Sequence, residues 1–559
     1  MGAVPLELQL SQLSLLPPPF QKTAKDAAAG SSVALSRVDD FIRSDSTKAS
    51  TTRLFLPVLY AVLHQARIPT PYELDTEDLA AVGETLSRVC TAIGLLTPIA
   101  RIPDDKMPPH VVAYIWPSLW KWIHFIMLHP WCLQDDDETE AELCQISATT
   151  ISSIYGHQEG NASCPPDPVI RTVVESTVGV QGLVMRAWVN SLLRRDFIAM
   201  HPSSLFMMRV ASVQLDECVD GAGGTHWHLA SFIVKLLSFI SADPPAAQIH
   251  CAGALVLIAH MIRDQELLLT LLECGFFGAL TKMLNAALDE DIDYDVEHDL
   301  ERIIDILLLI YWSTPKVERW MAEGLEAKLL PALISITQRK QSYSAHKLIH
   351  AVSTSLVHYR VASRIETHLA EILPVLQRLI ATGQKDKISE NVGEFLAWGA
   401  DRAKFIERFH AHRYVSRQAC DNMKCGIILT RAQVRRCSQC RKRYYCSTVC
   451  QMIDWREDKH RTVCKNLRNV NPDYGSPIER SFMLALYESD FQAQKAALFA
   501  VRLCSFTRTR APTFAVYTTT SPSHPPSAST PWTTSPVLTR YGRIPSRART
   551  GVVDGWKCI

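Results

Sequence analysis

No apolar run in this chain approaches the roughly 20 residues that a helix needs to span a bilayer. The longest, Cys251 to Ile262, is broken by His260, so no membrane-spanning segment is expected. Met1 to Leu16 lacks a basic leading region and a continuous apolar core, and an export signal is not expected either. Strand-like alternation is scarce. The sequence has no Gly-Lys-Ser/Thr loop ending, no His-Glu-x-x-His pair and no nucleophile elbow. Nucleotide-phosphate, zinc-hydrolytic and serine-hydrolase chemistries are thereby left without residues to carry them, and a non-enzymatic protein is expected. Paired cysteines are missing from most of the chain as well. Cys90, Cys132, Cys144, Cys164, Cys218, Cys251, Cys274, Cys504 and Cys558 stand singly. That is reduced usage, and it predicts an intracellular protein, nuclear or cytoplasmic.

The remaining seven of sixteen cysteines fall between Cys420 and Cys464, where random scatter would place about 1.3. With one histidine they run Cys420-x4-Cys425-x11-Cys437-x2-Cys440-x5-Cys446-x3-Cys450-x9-His460-x3-Cys464. Thiolates two to four residues apart form knuckles that offer two sulfurs to one ion at about 2.3 Å. Four such pairs close two tetrahedra, so two zinc ions are expected. All eight ligands are committed, and no position stays open for water or substrate. The zinc is therefore expected to be structural. So short a segment has little core, and each ion must supply much of the folding free energy, roughly 10–16 kcal/mol in comparable peptides.

Charge is balanced overall, 58 basic residues against 57 acidic, but not locally. Arg413 to Arg468 holds 14 Lys or Arg against Asp421, Asp454, Glu457 and Asp458, a surplus of +10. Seven thiolates and two divalent ions reduce this to about +7. A basic module of this kind makes nucleic acid an alternative partner. The run Arg441-Lys442-Arg443 reads first as a solvated knuckle tip.

Composition divides the chain into five parts. Residues 1–50, with Pro17-Pro18-Pro19, read as a loosely ordered lead-in. Residues 51–412 carry helical periodicity almost throughout, as at Ile365, Leu369, Ile372, Leu376 and Leu379, and predict an all-α domain. Leu329-Leu330-Pro331-Ala332-Leu333 and Ile372-Leu373-Pro374-Val375-Leu376 lie 43 residues apart. Gly275 to Leu284 also parallels Gly324 to Leu333. That spacing is in the range of HEAT and armadillo units and suggests an α-solenoid; an irregular helical bundle is the alternative. Residues 420–464 form the zinc segment and 465–500 a short helical extension. Residues 501–559 read as a disordered tail, since 25 of the 46 residues from Ser505 to Thr550 are Ser, Thr or Pro.

Smaller features have structural readings. Trp116 and Trp120 are four apart on one helix face, next to Trp122 and Phe125, and predict core packing. Thr225, after Gly223-Gly224, is placed to cap a helix. The acids of Asp135 to Glu142 and Asp289 to Glu301 favour the start of the helices that follow. Asp291, Asp293 and Asp295 resemble the opening of a calcium loop, but Val296 and Arg302 stand where glycine and glutamate are required.

With Tyr445 before Cys446, Gln451 after Cys450 and Trp455 five residues before His460, the ligand array resembles the MYND zinc finger. The resemblance implies interleaved sites: Cys420, Cys425, Cys446 and Cys450 would hold one ion, and Cys437, Cys440, His460 and Cys464 the other. It also implies a peptide-docking module for proteins carrying short, proline-containing motifs, with Ser438, Gln451 and Trp455 lining a groove; for Trp455 the alternative reading is that it packs the small helix onto the second zinc site. A role in transcriptional regulation is a further expectation. The first pair departs from the family, with four intervening residues where two are commoner. The helical region, with Trp116 to Trp122, also looks like that of large fungal MYND-finger proteins. Methyltransferases that carry such fingers have an Asn-His-x-Cys strand, which is missing here. A RING array would place its histidine mid-array, whereas His460 is seventh.

Overall fold

The computed structural model describes residues 3–508 apart from 45–48, 66–67, 71–73, 75–78, 103–106, 130–136, 157–165, 243, 289–295, 315, 340–341, 382–389, 412–416, 431, 458–459 and 470–475. Asp291, Asp293 and Asp295, and the expected disordered tail from 509 onward, lie outside the described residues. The described chain is helical except for four short strands near the zinc ligands. It divides into two units, residues 1–356 with 360–400, and residues 357–359 with the chain from 401.

The expectation of a loose lead-in at 1–50 is corrected. Short 3-10 turns at Leu6–Leu8 and Leu10–Leu15 feed helices Pro18–Ala28 and Ser32–Arg43. Leu8, Leu13 and Leu16 are all buried. The prolines that suggested disorder start a helix, because Pro18 occupies a first-turn position where its missing N–H leaves nothing unpaired. The Ser31 hydroxyl then accepts the Ala34 N–H at the next helix start. Such a cap is worth about 1 kcal/mol.

Helix Pro109–Leu128 carries the aromatic cluster, and the core reading holds. Trp116 and Trp122 are buried, and the Trp122 indole donates to the Leu63 carbonyl at 3.0 Å. Trp116 and Trp120 stack with centroids 6.3 Å apart. The expectation that no segment could span a membrane is corrected: by length and composition this helix could cross one, although His110, Lys121 and His124 interrupt its apolar run. Half of its most apolar window is buried inside the protein.

Beyond it, packing recurs every third helix. One row stacks Phe197–Arg209, Pro244–Met261, Val296–Ser313 and Tyr343–Ser355 in turn. A parallel row runs through Val180–Arg194, His226–Ala242, Phe276–Ala287 and Leu329–Arg339. Short helices Leu215–Gly221, Gln265–Glu273 and Val317–Glu326 each precede a member of the second row. Left-handed residues mark the joins: Gly224 (φ 82°), Gly275 (φ 88°) and Lys328 (φ 67°). Gly275 therefore corresponds to Lys328, not to Gly324, which lies inside a helix. The two leucine-proline pentads are not equivalent either. Pro331 lies in the first turn of its helix and Pro374 deep within Tyr359–Ala381, so the 43-residue spacing is not the spacing of the packing. Thr225 caps its helix as expected, accepting the His228 N–H at 3.2 Å. Helices Asp137–Gly156 and Val296–Ser313 begin in or directly after the two acidic stretches.

Four helices frame the second unit: α1 (Glu390–His410, of which the part from Asp401 belongs here), α2 (Thr448–Arg456), α3 (His460–Asn469) and α4 (Pro477–Arg508). Phe482 on α4 is fully buried and lies edge-on to Phe405 and Phe409 of α1, at 5.5 and 5.4 Å. Arg402 holds both oxygens of Asp490 at 3.1 and 2.9 Å. Helix α4 continues past the boundary expected at 500 as far as Arg508. No proline or glycine interrupts the chain between Pro477 and Pro512, so nothing stops the helix where composition begins to change.

Candidate metal centre

Two antiparallel hairpins and two helix starts bring the ligands together. In the first hairpin β1 (Arg417–Ala419) pairs with β2 (Ile428–Thr430), and the intervening turn carries Cys420 and Cys425. In the second, β3 (Arg435–Arg436) pairs with β4 (Tyr444–Tyr445) around Cys437 and Cys440. Asp421 stitches the hairpins: its N–H donates to the Tyr444 carbonyl at 2.7 Å, and its carboxylate accepts the Tyr444 N–H at 2.6 Å. Cys446 precedes α2 and Cys450 lies in its first turn, where Ser447 caps the Cys450 N–H at 3.2 Å. His460 and Cys464 share one face of α3, one turn apart.

The donor atoms form two sets, each with every pair within 4.8 Å: Cys420, Cys425, Cys446 and Cys450, and Cys437, Cys440, His460 and Cys464. This is the interleaved division. A zinc tetrahedron with the usual bond lengths has edges of about 3.8 Å between sulfurs and about 3.5 Å from sulfur to nitrogen. The Cys437 and Cys464 sulfurs are 3.8 Å apart, and His460 Nε2 lies 3.4 Å from Cys437 and 3.6 Å from Cys440. In the first set, Cys446 Sγ is 3.5 Å from Cys425 and 3.4 Å from Cys450. Two structural zinc ions fit.

The long first knuckle does not spoil its site. Asn422 turns inward, 3% exposed, and its side-chain oxygen accepts the Lys424 N–H, while Met423 points out. The two additional residues are absorbed as an Asx turn.

Without the ion, charge is unevenly shared. Burial alone would raise the Cys437 thiol, but the Cys440 N–H, the His460 ring and the Gln439 N–H outweigh it and bring it to about 6. Burial is likewise outweighed at Cys450, by Cys446, Asn422 and Ser447, which bring it to about 7. Burial and neighbouring thiols push Cys446 up to about 12 and Cys464 up to about 11. Each set thus contains one thiol primed as a thiolate, the species that binds metal.

Behind the second set, the buried Tyr445 phenol donates to Asp454 at 2.6 Å. Burial and that carboxylate hold the phenol protonated. Asp421, Asn422 and Asp454 were not singled out in the sequence. Their signal was available only as position, since each lies within four residues of a ligand.

Ser438 is exposed in the Cys437 turn, and Gln451 and Trp455 are one turn apart on α2. Gln451 and Trp455 thus share a face. No hydrogen bond joins Ser438 to either among the described residues. Trp455 has a structural role: its indole packs edge-on against His460 and belongs to the apolar shell of the cysteine core.

This arrangement is that of a double zinc finger, and residues 420–464 match the family model described as MYND finger. A MYND finger is a zinc-binding protein-interaction domain. Among curated proteins, mouse (Mus musculus) Tudor domain-containing protein 1 is 47% identical over 59 residues, which is 10% of this chain and 4% of that protein. The match thus spans a small fraction of the relative.

Proposed function

We propose that this protein is a non-enzymatic intracellular adaptor whose finger docks short, proline-containing peptide motifs beside α2. The observation that carries the reading is Gln451. Its amide makes no hydrogen bond with any described residue, although it stands one turn from a half-buried indole on a helix already fixed by zinc. Val449 and Met452 on the same helix are 56% and 49% exposed. An amide one turn from an apolar ring suits an extended backbone with an apolar anchor. Free Cys90, Cys144, Cys218 and Cys274 support a reducing compartment. The helical region would serve as scaffold, and transcriptional regulation is the setting this reading favours.

The test is capture of a proline-containing peptide library by the full-length, zinc-loaded protein. Gln451→Ala is expected to weaken capture about tenfold with zinc content unchanged, the loss of one well-placed amide. Capture indifferent to that change would sink the groove assignment.

A further inference from the structure

The finger's cations are gathered around one of its two metal sets. Arg435 and Arg436 lead into Cys437, Arg441 and Lys442 follow Cys440, Arg461 follows His460, and Lys465 follows Cys464. None of the six forms an ion pair among the described residues, and all but Lys442 are exposed. Around the first set two cations are matched, Lys424 with Glu457 at 2.7 Å and Arg443 with Asp421 at 3.4 Å, while Arg456 at the end of α2 is exposed and has no ion pair among the described residues.

Compensation of thiolate charge does not explain this. A four-cysteine zinc site carries a net charge of about −2 and a three-cysteine, one-histidine site about −1. Counter-charge should therefore gather at the first set, yet six of the seven unpaired cations among the described residues of the finger flank ligands of the second. A surplus of about +5 is left facing solvent there, an anion-attracting collar.

The collar continues from the proposed groove. Trp455 contacts His460 with ring centroids 5.5 Å apart, and His460 begins the helix whose outer side presents Arg461 and Lys465. A peptide lying along α2 and leaving past Trp455 runs onto these two side chains.

We propose that the finger selects peptides in which a run of carboxylates adjoins the apolar anchor, with Arg461 and Lys465 reading the acidic part; this rests on the peptide-docking reading above. An acidic peptide is favoured over nucleic acid by the aromatics. Tyr445 is buried, Tyr444 lies under Arg436 and Trp455 packs on His460, so no fully exposed ring is offered for base stacking among the described residues of the finger.

The experiment uses the full-length, zinc-loaded protein with two pools of degenerate proline-containing peptides, one tailed with glutamates and one with glutamines, and a random DNA duplex as a third probe. The expected result at about 50 mM salt is at least about tenfold tighter binding of the glutamate pool, a gap that narrows as salt rises. Arg461→Gln with Lys465→Gln should abolish the gap, keep glutamine-pool binding at the wild-type level and retain full zinc content. Equal binding of the two pools overturns the acidic preference and leaves peptide docking standing. Failure of both pools to bind overturns the docking reading itself. Duplex binding tighter than the glutamate pool, and lost in the double variant, overturns the proposal in favour of nucleic acid.

Discussion

The indole of Trp455 meets the imidazole of His460 edge-on, with ring centroids 5.5 Å apart. One side chain thus joins α2 to a metal ligand. Removing it should loosen zinc as well as any peptide. Trp455→Ala is expected to weaken retention of the second ion by about 2 kcal/mol, below the range for a fully buried tryptophan because the ring is half-exposed. Gln451→Ala should leave retention unchanged. Zinc release to a chromophoric chelator separates the two, and equal release rates would refute the packing role.

Gly426 and Arg441 close the two knuckles in the same left-handed conformation, at φ 68° and 56°. At Gly426 a Cβ would meet nothing within 4 Å, so a substitution there reports backbone strain alone. Gly426→Val should lose about 1–2 kcal/mol, and Arg441→Gly should be neutral or gain up to about 1. Thermal unfolding of the zinc-loaded protein measures both. A destabilised Arg441→Gly would mean that the guanidinium has an intramolecular role.

Zinc affinity should fall with pH in two regimes. Zinc lowers the pKa of each bound thiol, so the stabilisation is present at high pH and lost as pH falls. Above pH 7, loading must displace protons from Cys420, whose thiol burial pushes up, as well as from Cys446 and Cys464, whose metal-free values are about 12 and 11. Cys450 and Cys437 join as pH drops through about 7 and then about 6. The slope of log affinity against pH should therefore steepen between these values. Competition with a calibrated chelator from pH 5 to 8 tests it; a constant slope would contradict the primed thiols.

Phe482→Ala should cost about 3–5 kcal/mol, since the ring is fully buried between Phe405 and Phe409. The expected signature is early proteolytic cleavage within α4 with zinc content preserved. Cleavage unchanged from wild type would show that α4 is held by other contacts.

The ligand pairs were legible because ligand spacing is local: a knuckle is fixed by two to four residues, and helix periodicity places His460 and Cys464 on one face; which pairs share an ion came from the resemblance to the MYND finger. Packing was less so. Leu8 and Leu13 sit on separate 3-10 turns and Leu16 is the extended residue after the second, so the three follow no single helical period, and the adjacent prolines suggested disorder. The helix recurrence was misregistered because Lys328 does the work of a glycine, and a lysine gives no turn signal. Packing of Trp455 onto the second zinc site was one of its two readings from sequence, and its edge-on contact with His460 is that packing.

Phe482 holds the start of α4 against the end of α1, so the chain leaves and re-enters at neighbouring points. Topologically the finger is then a long loop on a helical hairpin. Closing a loop of some 65 residues instead of about 5 adds only about 2 kcal/mol in chain entropy. The finger is in that sense an exchangeable cassette: a short glycine-serine linker in place of residues 412–476 should leave the hairpin closed, and a different module could be grafted at the same two ends.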